Sequence, residues 1–116
     1  MGIANKYNKN HKFTWSIKEG TPYKNLKELV HENGMNYTYL ITCVFMSTKS
    51  KYGVNPIVCT PSECVNLPKH LTDTVNNMLN DDEVINAINS HKLGFTIYDY
   101  VINGNTYYSV SWVDID

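Results

Sequence analysis

The side chains that could do chemistry here are three cysteines, four histidines and nine tyrosines. Cys59, Cys64 and His70 form the densest group, spaced C-x4-C and then x5-H. Zinc is held by thiolates and imidazoles, but its ligand pairs are usually closer in sequence and a fourth ligand completes the set. No obvious fourth ligand follows. Cys43 and Cys59 lie inside apolar runs, where a thiol behaves as a small hydrophobe. The expectation is buried, unpaired thiols, no metal and no other cofactor. An odd cysteine count argues further against a disulfide framework.

Nucleophilic and metal-assisted catalysis find no motif. There is no G-x-S-x-G, no H-E-x-x-H and no phosphate-cradling glycine loop. His11, His31, His70 and His91 are spread over a polar tail and helix ends. Asp99 has no second carboxylate placed to pair with it. The chain is therefore expected to have no catalytic residue and not to be an enzyme.

The tyrosines give the one candidate binding surface. Tyr98, Tyr100 and Tyr107 flank Asn103-Gly104, a strong hairpin signal. A two-residue loop sets Tyr100 opposite Tyr107 and Tyr98 opposite Ser109. Phe95, Ile97, Val110 and Trp112 then share the other face. Phenol rings on adjacent strands could stack bases, and Lys49, Lys51 and Tyr52 could add charge and another ring. A Tyr100–Tyr107 pair also stabilises a hairpin with no ligand at all. The acids Asp81-Asp82-Glu83 could mimic phosphates, although acids in a first helical turn ordinarily complement the helix dipole.

The elements that must position these residues follow from periodicity. Phe13, Trp15 and Ile17 alternate with polar residues, as in a half-buried strand. Thr21-Pro22 predicts a helix start, and Asn33-Gly34 its end. Tyr37 to Met46 predicts the strongest strand, 47–53 a polar basic loop, and Val54 to Thr60 the returning strand. Cys64-Val65 predicts a short strand. Pro68 opens a second helix, and Asn80-Asp81-Asp82-Glu83 a third. The hairpin of 93–102 and 105–113 closes the chain.

This order predicts an α+β fold. Its form would be a five-stranded antiparallel sheet or an OB-like barrel, with a helix pair between strands 3 and 4 and an extra N-terminal helix. The 116 residues suit a single domain over 1–116, with residues 1–11 a flexible tail. No stretch approaches a membrane span and no secretory signal begins the chain, so the expected setting is cytoplasmic.

All ten basic residues are lysine, and asparagine occurs 15 times. Both have A-rich codons, which points to an AT-rich genome. The absence of arginine weakens any reading that needs a bidentate fork on phosphate or guanine. Residues 1–52 carry eight Lys and three Glu, whereas 53–116 carry two Lys and eight acids, giving +5 and −6. Such asymmetry can mark an interaction surface.

The stretch Val65-Asn66-Leu67-Pro68-Lys69-His70-Leu71, with Asp73-Thr74-Val75, Ala87-Ile88, Gly94-Phe95-Thr96-Ile97-Tyr98 and Tyr108-Ser109-Val110, carries a resemblance. Over about residues 37–113 the chain resembles small uncharacterised proteins carried by phages and mobile elements of low-GC Gram-positive bacteria. The resemblance implies a setting and brings no functional residue with it. The combined expectation is a non-enzymatic module for single-stranded nucleic acid. The alternative is an anti-CRISPR or other anti-defence inhibitor that binds a host defence protein. Oligomeric state is not legible.

Overall fold

The computed structural model describes residues 13–50 and 53–115, without the side chains of 48–50 and 53. The expected tail, 1–11, lies outside the described residues. Among the described residues, seven strands and three α-helices follow in the order β1 (Tyr23–Asn25), α1 (Leu26–Asn33), β2 (Tyr39–Leu40), β3 (Cys43–Ser50), β4 (Gly53–Cys59), β5 (Cys64–Asn66), a 3-10 turn (Lys69–Leu71), α2 (Thr72–Leu79), α3 (Asp82–Asn89), β6 (Leu93–Ile102) and β7 (Asn105–Asp114).

The fold is α+β, but neither the five-stranded antiparallel sheet nor the OB-like barrel forms. Two open sheets form instead: a mixed one ordered β1-β5-β4-β3 and an antiparallel one ordered β2-β6-β7. The run 37–46, read as one strand, explains the difference. Tyr39 and Leu40 pair with Phe95 and Gly94, whereas Cys43 begins a ladder with Cys59. Ile41 and Thr42 make the crossing and are buried. Their backbone groups are divided between the sheets, with Ile41 N donating to Leu93 O and Thr42 N to Cys59 O. An apolar run this long can serve two sheets, a strand-switching corner that local pattern does not reveal.

Two N-terminal expectations also change. Phe13–Ile17 forms no strand; the Thr14 amide donates to the Asn89 side chain rather than to a ladder. Thr21-Pro22 does not start a helix. Thr21 closes a turn on the Lys18 carbonyl, and Tyr23–Asn25 pairs in parallel with Cys64–Asn66. The helix starts later, where Asn25 accepts from Glu28 N and Glu28 reciprocates on Asn25 N, a capping box. Tertiary pairing has outweighed the local signal. The stop at Gly34 holds, at φ 83°.

The hairpin matches its expectation, and the third helix starts where expected, but on an Asp81 cap rather than an Asn80–Glu83 capping box. Asp81 caps α3 through Glu83 N and Val84 N. Asn103 and Gly104 both take positive φ, as a tight two-residue hairpin turn requires. Phe95↔Trp112, Ile97↔Val110, Tyr98↔Ser109 and Tyr100↔Tyr107 pair as expected. The segment 47–53 is less loop than expected, since the β3–β4 ladder resumes at Ser50↔Gly53 after a register shift.

The mixed sheet is buried on both faces, and alternation sorts its residues. Val44, Val58 and Val65 point into the main core with Leu29, Ile41, Val75, Ile88 and Phe95. Cys43, Ile57, Cys59 and Cys64 point the other way, beneath Phe13, Trp15 and Phe45. Helix α2 packs on β3 and β4, and α3 joins α2 to β6, so the helix pair bridges the two sheets. Among the described residues, no helix is long and apolar enough to cross a membrane.

Candidate functional site

The three tyrosines of the hairpin come together. Tyr100 and Tyr107 stack with ring centroids 5.7 Å apart and 26° between planes. Tyr98 lies 6.1 Å from Tyr100 at 41°. The result is a continuous aromatic ladder across two strands. Tyr98 and Tyr107 are each 44% exposed, which leaves ring area free for a further planar partner.

That face is closed at Ser109. Ser109, expected to face outward, is buried, and a hydrogen bond of 3.1 Å joins its hydroxyl to His70 Nε2. The 3-10 turn thus covers the base of the face. It also removes His70 from the cysteines it was grouped with in sequence. Among the described residues, no cluster of three or more Cys, His, Asp or Glu has a geometry that holds a metal ion.

Beside Tyr107 the covering segment leaves a groove of about 330 Å³. Leu26, Leu67 and Pro68 form its apolar floor, and Lys27 and Asn66 its polar rim. Lys27 sits in the first turn of α1, outside the reading made from sequence. Its sequence neighbourhood held no signal, because β1 and β5 bring α1 to the hairpin only through their parallel pairing.

Of the other predicted site residues, only the backbone of Lys49 is described. Lys49 sits on β3, in the other sheet. Its side chain, and the whole of Lys51 and Tyr52, lie outside the described residues.

A second cleft, of about 440 Å³, opens between the α1–β2 connection and the turn from Thr60 to Glu63. Lys24 binds Glu32 at 2.7 Å and stands 3.9 Å from Glu63. The hydrogen bond to Glu32 raises the Lys24 pKa above its ordinary value. Glu63 is buried, and its carboxylate accepts from Thr60 Oγ1. Tyr39 donates to Leu29 O and accepts from Asn33 Nδ2, both at 3.2 Å, and burial raises its phenol pKa. These polar groups satisfy one another, so the cleft is a closed network more than a set of groups waiting for a substrate.

The thiols form a row that the sequence did not reveal. Tyr23↔Cys64, Cys59↔Cys64 and Cys43↔Cys59 are register pairs, so one line crosses all four strands of the mixed sheet. All three cysteines are free and buried. The hydrogen bond between Cys43 and Cys59 lowers the Cys43 pKa and raises that of Cys59, which burial raises further. Burial raises Cys64 as well.

No protein-family model matches the chain, and comparison with curated proteins and with solved structures finds no similar protein.

Proposed function

We propose that this chain is a non-enzymatic binding module that stacks bases of single-stranded nucleic acid on the Tyr98–Tyr100–Tyr107 ladder, in the cytoplasm and in a phage or mobile-element setting. The observation that carries the reading is the ladder itself: three phenol rings in register, two of them about half open to solvent. Aromatic rings stack any base, so such a surface binds strands with little sequence preference. Lys27, at the groove beside Tyr107, supplies a cation for a phosphate.

A fluorescence titration with labelled oligonucleotides at low and high salt tests this. Tyr100→Ala and Tyr107→Ala should each cost about 1–3 kcal/mol of binding. Lys27→Ala should flatten the salt dependence by about one phosphate contact. Lys49→Ala with Lys51→Ala asks whether the end of the β3–β4 ladder takes part. No binding at low salt, where phosphate contacts are strongest, overturns the proposal.

A second reading rests on the hairpin tip. Val101 is 66% exposed and Ile102 51%, an apolar pair that nucleic acid has no use for. A host defence protein would bury it, as an anti-CRISPR or other anti-defence inhibitor requires. Val101→Asp with Ile102→Asp should then abolish co-purification of a stoichiometric host protein from bacterial lysate. Val101→Ser alone, on the face away from the tyrosines, should leave oligonucleotide affinity alone if the tyrosine face is the site.

A further inference from the structure

Cys59 and Cys64 face each other across β4 and β5, with sulfurs 2.7 Å apart. Their backbone groups are spent elsewhere. Cys64 N donates to Pro22 O, and Cys59 O accepts from Thr42 N. The flanking bonds, Thr60 N to Glu63 O and Leu67 N to Pro56 O, fall on the alternate positions of the ladder. The cysteines therefore form a pair without mutual backbone hydrogen bonds, the type in which Cα atoms approach to about 4.5 Å. That separation lies within the range of about 4.4–6.8 Å that disulfides span.

We propose that Cys59 and Cys64 are a redox-active dithiol that closes to a cross-strand disulfide, with a low-molecular-weight disulfide such as glutathione disulfide as the oxidant. The Cys64 thiolate attacks one sulfur of the oxidant. The oxidant's S–S bond breaks, and one glutathione thiolate leaves and takes up the proton that Cys64 released. The Cys59 thiolate then attacks the Cys64 sulfur, forming the protein disulfide. The second glutathione thiolate leaves and takes the proton from Cys59. Two protein thiols are oxidised, and one small disulfide is reduced to two thiols.

The position gives the bond a consequence. The two cysteines bracket the turn from Thr60 to Glu63, which forms one wall of the 440 Å³ cleft. Oxidation ties both ends of that turn, and with it the buried Glu63. Access is controlled from above the sheet. Phe13 and Trp15, in a segment without regular structure, cover the thiol row together with Phe45. Cys43 stands on the far side of Cys59 as the competing partner.

The test is the equilibrium of the full-length chain with glutathione buffers, in native conditions and in strong denaturant. Equilibrium is approached from both the reduced and the oxidised chain, so that slow access to buried thiols does not decide the outcome. Acid quenching, alkylation and peptide mapping identify the linkage. The expected result is a Cys59–Cys64 bond, with Cys43 alkylated, and an effective thiol concentration about tenfold or more higher in the native chain than in denaturant. An effective concentration equal to or below that of the unfolded chain overturns the proposal. So does a Cys43–Cys59 linkage as the main native product.

Discussion

The thiol row and the buried phenol make a statement about pH. Cys59 and Cys64 have pKa values raised above the ordinary 9.0, and Tyr39 above 10.0. A group whose folded pKa is raised holds its proton more tightly in the folded chain. Its contribution to stability is complete below the unfolded value and is lost as pH climbs through the folded one. Tyr23 and Lys24 are raised as well, and Cys43 alone is shifted downward and acts in the opposite sense. Urea midpoints should therefore decline above about pH 9, and more steeply once Tyr39 joins above about pH 10. Cys64→Ala should shallow the first part of that decline. The lowered Cys43 acts only below about pH 9, so a midpoint that rises above that pH would contradict the raised Cys59 and Cys64 values. At this scale the sequence was informative wherever spacing is short. Tyr98, Tyr100 and Tyr107 were legible as one group because a two-residue loop leaves a single register. The thiols were not, since Cys43 joins Cys59 and Cys64 only through strand pairing that no local pattern encodes.

Elements that close on themselves were legible, and those that depend on a distant partner were not. The β6–β7 hairpin, the Asp81 cap and the Gly34 stop each rest on a few adjacent residues. β1 exists because β5 offers it an edge, and that pairing displaced the helix start expected at Thr21-Pro22. Phe13, Trp15 and Ile17 alternate as a strand would, but only Phe13 and Trp15 pack on the thiols, and Ile17, in the same phase, is exposed. The short β2 is held by a close approach. A Cβ on Gly94 would stand 2.5 Å from the Tyr39 carbonyl oxygen and 2.6 Å from the end of Ile115. The isoleucine can rotate, but the carbonyl belongs to the β2–β6 pairing and cannot. Gly94→Ala should cost about 1–3 kcal/mol as overpacking, read as a lowered denaturation midpoint. An unchanged midpoint would mean that β2 is free to move away from β6.

The two sheets behave as one molecule because a single core runs through both. Val44, Val58 and Val65 of the mixed sheet share a cluster with Phe95, Ile97 and Val110 of the other. Phe95 stacks on Tyr39 at 5.1 Å and meets Trp112 edge-on at 6.4 Å. Ile41, fully buried, carries the chain from one sheet to the other. No such crossing is visible in a sequence whose run from Tyr37 to Met46 reads as one strand, and that is why the class α+β was legible but the single sheet was wrong. The two tryptophans stand at opposite places in this arrangement, Trp15 over the thiol face and Trp112 against the hairpin core. Trp112→Phe leaves emission that reports the mixed sheet, and Trp15→Phe leaves emission that reports the antiparallel one. If the shared core couples them, each variant should give the same midpoint by its remaining tryptophan as by far-UV circular dichroism, as two-state unfolding requires. Ile41→Ala should lower the midpoint by both tryptophan probes together, by about 2–5 kcal/mol of stability. A separation of the probes in that variant would show that the coupling between the sheets depends on the crossing at Ile41. Coincident transitions would assign the coupling to the wider cluster around Phe95, Val58 and Ile88.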